Sequence, residues 1–196
     1  MSLTLVSKPS QFPLSLDEAK HHCVVEHNDD DALIDALIGA ATDYAEKYTG
    51  LDLVQRTWDY SFDSFGNGDI ELPKTPIQSV TSVTYTDVTS SPQVNTVATT
   101  VYDLDDGACL PFLYLQYGQT WPSASAVRNG ITVRFVSGYA GLGSPEDLRG
   151  NIPEGIKAAI KLLVADLYMN REKNTDIQTF DNHTCDMLLH AFRVYR

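Results

Sequence analysis

The chain has 196 residues, enough to bury one sizeable core or one core with a small second layer. Its 43% hydrophobic and 10% aromatic content exclude a disordered chain, and 14 Lys and Arg against 26 Asp and Glu, a net charge of -12, argue against a protein that reads nucleic-acid sequence. Residues 1–152 hold 8 basic and 20 acidic residues and 153–196 hold 6 of each, so the whole acidic surplus precedes residue 153.

Three widely spaced cysteines, Cys23, Cys109 and Cys185, do not form a disulfide framework and read as free thiols in a reducing compartment. No run reaches the eighteen or so apolar residues of a membrane helix, and MSLTLVSKPSQ lacks the basic region and apolar core of a signal peptide, so a cytoplasmic protein with no membrane partner is expected.

In chain order, residues 1–13 begin with an alternating LTLV followed by SKPSQFP, a short extended arm. Ser15 with Glu18 is a capping-box pattern and predicts a short helix near 15–22. The run from Asp29 to Gly50 repeats apolar residues at three- and four-residue steps (Leu33, Ile34, Leu37, Ile38, Ala41, Tyr44, Ala45, Tyr48) and predicts an amphipathic helix over 29–49. Acidic residues suit its start, and Gly50 suits the left-handed position beyond its end.

The period then falls to two. Trp58, Tyr60 and Phe62 alternate with Thr57, Asp59 and Ser61, as a strand with one buried face requires. Gly66 and Gly68 predict a tight reversal into a second strand at DIEL. After Pro73 and Pro76, IQSVTSVTYTD predicts another strand, and the Ser/Thr-rich stretch 86–100 a long hairpin tip or mobile loop. Strands are expected at 100–104, 110–116 and 131–137, with Trp121 anchoring the loop before the last.

The strongest helical signal is NIPEGIKAAIKLLVADLYMNR over 151–171. Ile156, Ala159, Ile160, Leu163, Val164, Leu167 and Tyr168 form its apolar stripe, Asn151 is the candidate cap, and Pro153 suits its first turn. A polar tether over 173–182 precedes a helix near 183–192, which either folds back on the core or docks on another subunit. The fold class is α+β: a helical core (near 15–22, 29–49, 153–171 and 183–192) interrupted by an inserted antiparallel β region at about 53–137. We take 1–196 as one domain made of N-terminal helices (14–50), a β insertion (51–140), a central helix (151–172) and a C-terminal tether and arm (173–196).

Chemistry is sparse. His21, His22, Cys23 and His27 lack the second ligand pair of a zinc site. DLDDG at 103–107 has Tyr114 where a calcium loop needs its bidentate Glu, so a hairpin turn is expected. GYAGLG at 138–143 lacks the spacing of a phosphate-cradling loop, and no GxSxG elbow exists. No catalytic residue, cofactor or metal is expected.

The succession LTLVSKPSQFPLSLDEAKHHCVV (3–25), DDDALIDALIGAATDYAEKYTGLDLVQRTWDYSFDSF (29–65), IELPKTPIQSVTSVTYTD (70–87), Trp121 with Pro122, VRFVSGYAG (133–141) and IPEGIKAAIKLLVADLYMNRE (152–172) resembles the head-tail connector proteins of tailed bacteriophages. These are also called adaptor or head-completion proteins, and the likeness is greatest to the subgroup described as possible DNA-packaging proteins. The resemblance implies a non-enzymatic virion component in the neck, made in the host cytoplasm. Copies would form a homo-oligomeric ring, dodecameric when assembled, below the portal protein, passing double-stranded DNA without sequence preference and meeting a stopper or tail-completion protein.

The family's portal-gripping C-terminal segment corresponds here to Leu188, Leu189, Phe192, Arg193, Tyr195 and Arg196. A lumen that lets DNA slide should repel phosphate, and Asp29, Asp30, Asp31 and Asp35 are the acidic residues expected to face it. Two alternatives stay open: a neck stopper or tail-completion protein, and a small-ligand-binding domain or enzyme on a similar scaffold.

Overall fold

The computed structural model describes residues 1–66, 68–89, 91–107, 110–125, 127–139, 149–170 and 183–195. The chain forms two compact units, one of strands (Met1–Pro9 and Gln55–Tyr139) and one of helices (Ser10–Val54 and Ala140–Tyr195). Among the described residues, four helices and eight strands in antiparallel sheets make the fold α+β, as expected. No helix among the described residues is long and apolar enough to cross a membrane.

The helical unit opens with α1 (Leu16–Cys23). Its capping box is complete: the Glu18 amide donates to Ser15 Oγ at 3.2 Å, and the Ser15 amide donates to Glu18 Oε2 at 2.9 Å. Helix α2 (Asp31–Thr49) begins one residue after Asp30 and stops at Gly50, whose φ of 78° lets its amide reach the Glu46 carbonyl. Its buried stripe is Ile34, Ile38, Ala41 and Ala45, and the buried hydroxyls of Thr42 and Thr49 donate to the carbonyls of Ile38 and Ala45.

Helix α3 (Glu154–Met169) packs on both α1 and α2 and buries Ile156, Ala159, Ile160 and Val164. Two expectations are corrected here. The cap is Pro153, whose carbonyl accepts from the amides of Ile156 and Lys157, so Asn151 lies outside the helix. Leu167, expected on the apolar stripe, is 39% exposed. Helix α4 (Thr184–His190) packs on α3 and α2.

In the strand unit, β1 (Ser2–Ser7), β2 (Arg56–Phe62), β8 (Ile131–Ser137), β4 (Ile77–Thr86) and β5 (Val94–Thr96) form one antiparallel sheet in that spatial order. A second sheet has the order β3 (Ile70–Glu71), β7 (Phe112–Leu115), β6 (Tyr102–Asp105). Strand β8 is paired on both sides and alternates as read: Ile131, Val133 and Phe135 are wholly buried, whereas Arg134 points outward to a two-pronged 2.7 Å pair with Asp59 directly opposite on β2. One apolar cluster takes residues from both sheets, including Phe62, Ile70, Tyr102, Leu113 and Phe135. Trp121 closes it, stacked on Phe65 at 4.8 Å, with its indole N–H donating to the Gly68 carbonyl at 3.3 Å.

Two β expectations change, and a third, left open between hairpin tip and mobile loop, is a hairpin. The extended arm at the N-terminus is an edge strand of the large sheet, held by β2. The glycines at 66 and 68 do not make a hairpin, because β3 pairs with β7 and β2 pairs with β1 and β8. The stretch after β4 is a hairpin whose return strand, β5, pairs Thr96 with Thr84. Its tip is organised by Asp87, which accepts from the Thr89 hydroxyl at 2.8 Å, the Gln93 amide at 3.1 Å and Asn95 Nδ2 at 3.1 Å. DLDDG runs out of β6 into the β6–β7 hairpin, as expected.

Val24, the residue that ends α1, is 83% exposed and adopts φ 57°, a left-handed conformation that costs a β-branched residue about 1–2 kcal/mol. Val24→Gly should therefore raise thermal stability by about 1 kcal/mol, and a lower melting temperature would refute the strain. The bonds to Asp87, the Thr89 hydroxyl foremost, hold its carboxyl below the ordinary value of 3.8. A depressed carboxyl stabilises the fold above its unfolded value and loses that contribution as pH falls through its folded value. The protection factors of the Thr89 and Gln93 amides, measured against intrinsic exchange at each pH, should thus fall only below about pH 3.8 and should already be lost at neutral pH in Asp87→Ala. Slow exchange in that variant would show that the tip is held by other means.

Candidate interaction surfaces

Among the described residues no three His, Cys, Asp or Glu side chains come together as a metal group. The candidate surfaces are the acidic corner before α2 and the C-terminal arm, both in the helical unit.

At the acidic corner the four aspartates divide. Lys20 donates to Asp31 Oδ1 at 2.6 Å and to Asn28 Oδ1 at 2.7 Å, tying the end of α1 to the start of α2. Asp30 accepts the Tyr168 hydroxyl from the last turn of α3. Both are thus committed to holding three helices together. Asp29, its side chain 95% exposed and 3.9 Å from His27, and Asp35, on the outer side of α2, point to solvent. The sequence shows all four as equivalent because Lys20 and Tyr168 lie 11 and 138 positions from their partners.

The C-terminal arm lies back on its own unit. Leu189 is fully buried, and Phe192 packs against the first turn of α3, where a Cβ on Gly155 would come within 3.0 Å of the Phe192 ring. Gly155 is needed for that close approach. Tyr44 on α2 donates to Asp186 Oδ1 at 2.8 Å, and the Val194 amide donates to the Thr49 carbonyl at 2.8 Å, which carries the chain past the end of α2.

The Arg193 guanidinium sits over two rings, 5.5 Å from the centre of Tyr48 and 5.2 Å from that of Tyr195. Tyr195 in turn is 3.3 Å from His190 Nε2 and 63% exposed. Of the six expected contact residues, Arg193 and Tyr195 therefore face outward, Leu188 is half-buried, and Leu189 and Phe192 turn inward. Arg196, the tether at 173–182 and Cys109 fall outside the described residues. The arm's partner on its own chain, the Tyr44 and Tyr48 face of α2, was legible only as part of an apolar stripe.

Cys185 is half-buried with its thiol 3.8 Å from the Ala159 carbonyl, and burial pushes that thiol above its ordinary range, as it does for Cys23. Neither has the lowered pKa of a reactive cysteine.

The family model of the phage gp6-like head-tail connector protein matches residues 13–103, a little under half of the chain. No curated protein matches it. Solved structures match along the full length. The chain is similar at 18% identity and TM-score 0.77 to a chain in the neck of an empty GTA particle computed with C6 symmetry. It is similar at 20% and 0.74 to one in the virion of a native gene transfer agent particle, and at 22% and 0.72 to one in the neck of a native GTA particle computed with C12 symmetry. Each match covers 100% of this chain and 97% of the other. The resemblance to head-tail connector proteins that the sequence carries is thus met twice, over 13–103 by the gp6-like connector family and over the whole chain by the fold of these particle chains.

Proposed function

We propose that this chain is a non-enzymatic connector of a virion neck: copies assemble as a ring, twelvefold when complete, below the portal of a DNA-filled head, and extend the DNA channel towards the tail. The observation that carries the reading is the connector-family match over 13–103 on a fold shared, end to end, with chains of particle necks. Symmetry C12 in one of those necks is in keeping with a twelvefold ring. A closed ring needs one face of each copy to meet a different face of the next.

Asp29 and Asp35 are the acidic residues free to face passing DNA, since Asp30 and Asp31 are spent on Tyr168 and Lys20. Each lysine placed in the lumen would add a salt-dependent attraction to phosphate. Asp29→Lys with Asp35→Lys should therefore slow DNA ejection, more at low salt than at high. Ejection at the normal rate would remove the electrostatic part of the reading.

Arg193 and Tyr195 are the portal contacts available without rearrangement, while Leu189 and Phe192 become available only if the arm lifts from α3. Arg193→Glu with Tyr195→Ala should give a folded protein that no longer captures portal in a pull-down, and undiminished capture would place the portal contact elsewhere. Gly155→Val should displace Phe192 and lower amide protection across 184–194 at least tenfold while α2 stays protected. Unchanged protection would mean that the arm does not depend on this contact.

A further inference from the structure

Strand β2 presents Trp58, Tyr60 and Phe62 on one face, at every second residue. The Trp58 ring already carries a cation: the Lys74 ammonium lies 4.7 Å from its centre. Further along the same face Phe62 stands 5.3 Å from Tyr60, Phe65 beyond the end of the strand stands 6.3 Å from Phe62, and the three rings line a cavity of about 380 Å³. Asp69 and Glu71 line its rim, both exposed, and neither has an ion-pair partner among the described residues. Burial and the Glu71 charge together raise the Tyr60 phenol above its ordinary value, which places the carboxylate's field at the aromatic floor.

Met1 also lines the cavity, and its thioether accepts a bond from the Tyr60 hydroxyl at 3.1 Å. A thioether is a weak acceptor on an adaptable stem and yields easily to a better partner. The volume falls in the range of small-molecule sites, and aromatic faces beneath free carboxylates are the surroundings that a desolvated ammonium prefers.

We propose that this cavity binds an alkylammonium group on an aliphatic stem, the stem lying across Tyr60, Phe62 and Phe65 and the charge meeting Asp69 and Glu71. Lys74 on Trp58 makes the same kind of contact one step along the strand. The group can come from a lysine of another polypeptide or from a free amine, and the chemistry recognised is the same.

The test uses the full chain and follows the backbone amides of residues 60–73 by NMR. Three probes are titrated: Nα-acetyl-lysine N-methylamide, n-butylammonium and the neutral 1-butanol. Both ammonium probes should shift the Tyr60 and Glu71 amides and bind about tenfold more tightly than the alcohol. In the variant D69N/E71Q, whose changes lie at exposed positions, that preference should vanish while the alcohol binds as before. Tighter binding of the lysine amide assigns the site to a polypeptide partner, and tighter binding of n-butylammonium assigns it to a free amine. Equal binding of alcohol and ammonium to the unsubstituted chain, an ammonium preference that survives in D69N/E71Q, or no shift at all would each overturn the proposal.

Discussion

The helical unit depends on the packing of α2 against α3, two helices separated by more than a hundred residues of chain. Helix α2 buries Ile34, Ile38, Ala41 and Ala45, and α3 buries Ile156, Ala159, Ile160 and Val164. The hydrophobic gain of such a contact, about 25 cal/mol per Å² removed from water, must exceed the entropy of closing the intervening loop. That entropy grows only logarithmically, at about 0.6 kcal/mol per doubling of length. An inserted segment that forms its own core therefore costs the helical unit little. The two-sided pairing of β8 and the aromatic packing around Phe65 and Trp121 supply that core from residues inside the insertion.

What could be read from sequence is what local chemistry decides. The Ser15 and Glu18 box, the left-handed Gly50 and the alternation of Ile131, Val133 and Phe135 each follow from interactions within a few residues or from a single buried face. What could not be read is partner choice. Gly66 and Gly68 do mark a change of direction, but turn chemistry does not say which strand the chain meets next, and β3 joins β7 more than forty residues later. The N-terminal LTLV has the period of a strand, yet only the free edge of β2 makes it one. Asn151 is a good cap by type but stands two residues before the cap position, which Pro153 occupies with backbone alone.

The same limit governs the surfaces. An apolar residue at helical spacing in a tail reads identically whether it is buried in its own chain or in a neighbour, and Leu189 and Phe192 resolve that ambiguity only through the shape of α3 at Gly155. Four consecutive or near-consecutive aspartates likewise look alike until Lys20 and Tyr168 select two of them. Charge counts identify which stretch of chain is acidic; tertiary contacts decide which charges are left for a partner.

Charge also constrains how the proposed ring can close. Each copy carries -12, and all of the surplus precedes residue 153, so neighbouring copies repel wherever those residues approach. At physiological salt that repulsion decays over a Debye length of about 8 Å, so it is felt at contact and little beyond it. A stable contact between copies must then either bury apolar area sufficient to exceed it or bring the charge-balanced residues 153–196 of one copy against the acidic stretch of the next. The second solution uses the asymmetry already written into the chain, and it makes head-to-tail contact, which closes a ring, less repulsive than contact between two identical acidic faces.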